Sequence, residues 1–64
     1  MTVKVFQIVK DTGFVVSMIT FHNIKDMIFG NNCFKLYPEG ETDDIIEYPR
    51  IGEHFDYAYF IEEV

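Results

Sequence analysis

The sequence predicts a small α+β domain: an antiparallel sheet of about five strands and one short helix, in the order ββαβββ. Three observations point there. Runs rich in β-branched and aromatic residues alternate with clusters of Gly, Asn, Asp and Pro, which is the pattern of strands separated by turns. One segment, Asn23–Gly30, instead spaces its apolar residues as a helix would. The chain has only 64 residues, room for one domain over 1–64 and no second core. A small SH3-like all-β barrel is the alternative.

Val3–Val9 reads as the first strand and Phe14–Phe21 as the second. Between them Lys10-Asp11-Thr12-Gly13 signals a hairpin, with Gly13 free to take the left-handed conformation that closes it. Val3 and Val5 share one face of the first strand while Phe6 and Ile8 share the other. Either both faces are covered or a bulge lies near Val5–Phe6.

In Asn23–Gly30, Asn23 suits an N-cap, Asp26 sits in the first turn and Gly30 stands at the stop. Ile24, Met27 and Ile28 form the apolar stripe. The competing reading is a strand that turns at Gly30-Asn31-Asn32. Cys33–Tyr37 follows as a strand ended by Pro38, then Glu39–Asp44 as a loop, then Ile45–Tyr48 as a strand stopped by Pro49. In Phe55–Ile61 the alternation is clean. Phe55, Tyr57, Tyr59 and Ile61 share one face, which makes this a core or interface strand.

Charge divides the chain unevenly. Residues 1–36 hold four lysines against Asp11 and Asp26, a net of +2; residues 37–64 hold nine carboxylates against Arg50 alone, a net of −8. The sum is −6. Scattered lysines on an acidic chain argue against direct nucleic-acid binding, since a phosphate backbone rewards clustered cations. No apolar run approaches a membrane span, and a single cysteine, Cys33, leaves no intrachain disulfide to form. A cytoplasmic protein is the expectation.

Groups suited to catalysis are thin. Ser17 sits among Val15, Val16, Met18 and Ile19 with no nucleophile elbow around it. Cys33 with His22 or His54 would form a thiolate–imidazole pair only if the fold joined them, and a small buried cysteine is the plainer reading. Asp43-Asp44 are adjacent on a solvated loop, where carboxylates stay ionised. The acidic stretch Glu39–Asp44 offers hard oxygen ligands but lacks the register of a calcium loop. His54 beside Glu53 and Asp56 reads as an exposed loop histidine. No enzyme, metal or cofactor is expected.

What the composition favours is contact with another protein. Acidic residues interleaved with large amphipathic rings attract a basic surface at long range and bind it at short range. The expected contact residues are Glu39, Glu41, Asp43, Asp44, Glu47, Glu53 and Asp56, with Tyr48, Tyr57 and Tyr59 as anchors. By size and charge alone, such a chain is analogous to the small acidic inhibitors with which phages and other mobile elements block a partner's nucleic-acid groove. The alternative is a structural homo-oligomer, pairing through Phe55–Ile61 or the N-terminal strand, in which the acidic half keeps an apolar assembly soluble.

Overall fold

The fold is all-β. The structure, a computed structural model, describes residues 1–40 and 44–62. Its strands are β1 (Thr2–Val9), β2 (Val15–Phe21), β3 (Ile24–Phe29), β4 (Cys33–Pro38), β5 (Ile46–Pro49) and β6 (Phe55–Glu62). They make two three-stranded antiparallel sheets, one ordered β2-β1-β6 and the other β3-β4-β5. The α+β expectation is therefore overturned, and the all-β alternative is the one that fits.

The correction has a local cause. Ile24 and Met27 both point into the core, 2% and 8% exposed, although an odd spacing of three should put them on opposite faces of a strand. A register shift reconciles them: Ile24 pairs with Pro38 and Asp26 with Tyr37, so Lys25 is the extra residue of a bulge. That bulge reproduces the i, i+3 spacing of a helix inside a strand. Asn23 is not a cap but the corner residue between the sheets, at φ 58°. Asn tolerates this left-handed conformation and a β-branched residue does not. Asn23→Gly is expected to leave the melting temperature near its original value. Asn23→Val is expected to cost about 1–2 kcal/mol. Thermal melts of the two variants check this, and a valine variant as stable as the asparagine would contradict it.

The first hairpin forms as its residues dictate. Gly13 adopts φ 74°, its amide donates to the Val9 carbonyl at 2.8 Å, and the Val9 amide donates to the Phe14 carbonyl at 2.9 Å. Of the two readings of the first strand, the bulge at Val5–Phe6 does not form: the register shifts further on, where Gln7 pairs with Ser17 but Ile8 with Val15, leaving Val16 of β2 as the extra residue. β1 is central, hydrogen-bonded to β2 on one side and β6 on the other. This also removes it as a strand that could pair with another chain.

Two corners join the sheets. At one, the Ile24 amide donates to the Met1 carbonyl at 2.8 Å, and the Met1 ammonium donates back to the Ile24 carbonyl at 2.7 Å. At the other, Ile51 bridges Asp56, and the Tyr57 amide donates to the Arg50 carbonyl at 3.0 Å. Val3 and Val5 of the first sheet meet Ile24, Met27, Phe34 and Leu36 of the second to form the core. Those six are the buried apolar residues among those described. The molecule is flat, with extents of 39 × 25 × 15 Å.

Candidate functional site

Strand register decides which acidic and aromatic side chains reach solvent. In antiparallel sheets directly paired residues share a face, and neighbours along a strand alternate. Leu36 is fully buried, so its neighbours Lys35 and Tyr37 project from the outer face of sheet β3-β4-β5. Tyr37 pairs there with Asp26, and Lys35 lies between Ile28 and Glu47. Cys33, half-buried, is on the same face opposite Pro49. At the end of this sheet the Glu39 amide donates to the Asn23 carbonyl at 2.8 Å, which fixes where the acidic β4–β5 connection leaves the strand. Glu39 and Asp44 are both exposed at that end.

The expected anchors lie elsewhere. Tyr57 and Tyr59 pair across β1 with Gln7 and Val5, and Tyr48 pairs with the buried Phe34, so all three are on inner faces. Their rings form one cluster: Tyr48–Tyr57 centroids are 5.2 Å apart, Phe34–Tyr48 5.7 Å, Phe34–Tyr59 5.3 Å and Phe29–Tyr59 5.3 Å. The Gln7 amide donates to the Tyr57 hydroxyl at 3.3 Å. The Phe34–Tyr48 pair is stacked and the other three are tilted, and both arrangements at these distances stabilise beyond simple burial. Tyr48, Tyr57 and Tyr59 thus line the space between the sheets, the first two half-buried and Tyr59 the most open at 37% exposure.

Burial, with the neighbouring Tyr57 hydroxyl as a smaller contribution, pushes the Tyr48 phenol above its ordinary value of 10.0. The sign follows directly. The folded state holds this proton more tightly than the unfolded chain, so stability is unaffected below pH 10 and falls as pH rises above it. Alkaline titration followed by circular dichroism is expected to show this loss, and Tyr48→Phe to flatten it. An equally steep loss in the phenylalanine variant would assign the effect to another group.

The acidic residues divide into two groups. Glu39, Asp44 and Glu47 gather at the β4–β5 end, joined on the outer face by Asp26. Glu53 lies at the opposite end of β5, exposed, with its carboxylate 3.9 Å from His54. Asp56 is on the outer face of sheet β2-β1-β6, where it accepts from the Lys10 ammonium at 3.0 Å. That ammonium also donates to the Gly52 carbonyl at 2.9 Å. Lys4 similarly meets Glu62 at 3.4 Å. Glu41 and Asp43 lie outside the described residues. Lys4 and Lys10 thus pair with carboxylates on sheet β2-β1-β6. Lys25 and Lys35 belong to sheet β3-β4-β5, where Lys35 lies across the strands from Glu47 and, with Glu39 and Asp44 at its end, the carboxylates outnumber the lysines.

Ser17 lies on the inner face, half-buried and paired with Gln7. Among the described residues no group of three or more His, Cys, Asp or Glu side chains is arranged to hold a metal ion. Among the described residues no helix is long and apolar enough to cross a membrane. Tyr37 is the residue that sequence reasoning passed over. Alternation within Cys33–Tyr37, with Phe34 and Leu36 inward, carried the signal. Comparison with family models, curated proteins and solved structures finds no match to this chain.

Proposed function

We propose that this chain is a non-enzymatic protein-binding module that docks an acidic, tyrosine-bearing surface on a basic surface of a partner protein. The observation that carries the reading is the juxtaposition of Tyr37 with Asp26 on the outer face of sheet β3-β4-β5, with Glu47 on the same face and Glu39 and Asp44 at its end. An amphipathic ring beside Asp26, on a face where carboxylates outnumber the neighbouring Lys35, combines steering with a contact that survives desolvation. A nucleic-acid-binding groove is the kind of basic surface such a module would cover, and covering it would inhibit its owner. The single cysteine is in keeping with a cytoplasmic setting.

Capture of partners from a lysate at about 50 mM and about 500 mM salt tests the electrostatic part, because screening shortens the reach of exposed charges to a few ångströms. The expected result is retention of a basic protein at low salt and its release at high salt. Retention indifferent to salt would contradict it.

A further inference from the structure

Among the described residues sheet β2-β1-β6 has two edge strands: β6 is met along its first residues by Arg50–Gly52 and carries Asp56 and Glu62, whereas β2 has nothing beyond it and no charge. β2 pairs with β1 alone, and among the described residues no backbone hydrogen bond is made on its far side. The strand is exposed on both faces: Val15 and Val16 at 55%, Met18 at 53% and Ile19 at 46%. From Phe14 to Phe21 it contains no charge and no proline. Natural edge strands are guarded by lysine, proline, inward charges or a covering segment, and an unguarded edge seven residues long is a template for another strand.

We propose that this edge is covered by β2 of a second copy, the two strands running antiparallel across a two-fold axis so that the three-stranded sheets join into one of six strands. The inference is independent of the acidic docking surface, which lies on the other sheet.

Charge selects a second copy as the occupant. The chain carries −6, so most of its surface repels another copy, but a strand without charge can face itself at no such cost. Its flanks then complement one another. Asp11 stands before β2 in the first turn and Lys25 follows it beyond the corner, both exposed and neither in an ion pair among the described residues. Antiparallel pairing carries Asp11 of one copy toward Lys25 of the other, twice by symmetry, whereas parallel pairing would set like against like. Lys10, the other charge near the turn, is already held by Asp56.

The chain exposes 4713 Å², about a tenth more than the roughly 4,300 Å² expected of a folded monomer of 7.6 kDa. An isologous contact also closes, leaving no free edge to propagate fibres.

Sedimentation of the full chain across a dilution series, with amide hydrogen exchange at both ends of the series, tests the proposal. The expected result is a concentration-dependent shift from 7.6 kDa to twice that mass, with amides of Val15–Phe21 slowing as the larger species forms. Replacing Met18 and Ile19 together by lysine is expected to weaken association at least about tenfold, since four like charges then crowd the axis. Asp11→Lys is expected to weaken it roughly threefold to tenfold, and the swap Asp11→Lys with Lys25→Asp to restore it. A strict monomer at high concentration would overturn the proposal. So would a dimer whose β2 amides exchange as fast as in the monomer, which would assign contact to a sheet face. If the lysine variant does not fold, the wild-type exchange pattern still decides.

Discussion

Phe34→Ala is expected to leave the chain largely unfolded at room temperature. Phe34 is fully buried, and its ring touches both Tyr48 and Tyr59, with centroids 5.7 and 5.3 Å away. It is the hub through which β4, β5 and β6 share one aromatic cluster. Removing such a ring from a core costs about 3–5 kcal/mol, from lost transfer energy and the cavity left behind. A single core in a domain of this size rarely supplies more than about 3–5 kcal/mol in total. The two figures meet, so the variant has no margin. A neighbouring core truncation, Leu36→Ala, lies in the range of about 2–5 kcal/mol and leaves some folded population. Circular dichroism with urea titration reads both. A cooperative transition for Phe34→Ala at the original midpoint would show that the cluster is not what closes the sheets.

Reversing three charges together, Glu39→Lys, Asp44→Lys and Glu47→Lys, is expected to abolish capture of the basic partner without unfolding the chain. All three positions are exposed, and surface substitutions of this kind change stability by about half a kcal/mol or less. Their effect on association is larger, because attraction becomes repulsion at the site of contact. Tyr37→Ala is expected to act differently. It leaves the steering charge in place and removes the ring, costing about 2 kcal/mol or more of affinity through a faster off-rate. The charge variant should instead slow association and invert its salt dependence, since salt screens the new repulsion. Binding kinetics separate the two effects. A Tyr37→Ala variant that bound with unchanged affinity would remove the ring from the contact.

Much of this architecture is visible in the residues before any coordinates. The Lys10–Gly13 turn, the two strands flanking it and the alternation of Phe55–Ile61 follow from local chemistry, and the structure places each as that chemistry requires. Ile24–Phe29 is different. A bulge at Lys25 gives a strand the apolar spacing of a helix, and only the pairing of β3 with β4 distinguishes them. Local pattern cannot report that pairing. The same holds for the tyrosines. Alternation puts Tyr57 and Tyr59 on one face of β6, but it does not say which face the second sheet covers. Once Val5 faces the core, its pairing with Tyr59 turns both rings inward. The division of the carboxylates is likewise a matter of topology. β5 is only four residues long, with a connection at each end, so residues close in sequence, such as Glu47 and Glu53, separate in space.

The most direct test of the functional reading is the footprint of a captured basic partner on this chain, read from amide shifts and hydrogen exchange residue by residue. The account predicts changes at Asp26, Lys35, Tyr37, Glu39, Asp44 and Glu47, with the Tyr48–Tyr57–Tyr59 cluster undisturbed. A footprint centred on Glu53 and Asp56, leaving Tyr37 unchanged, would contradict it.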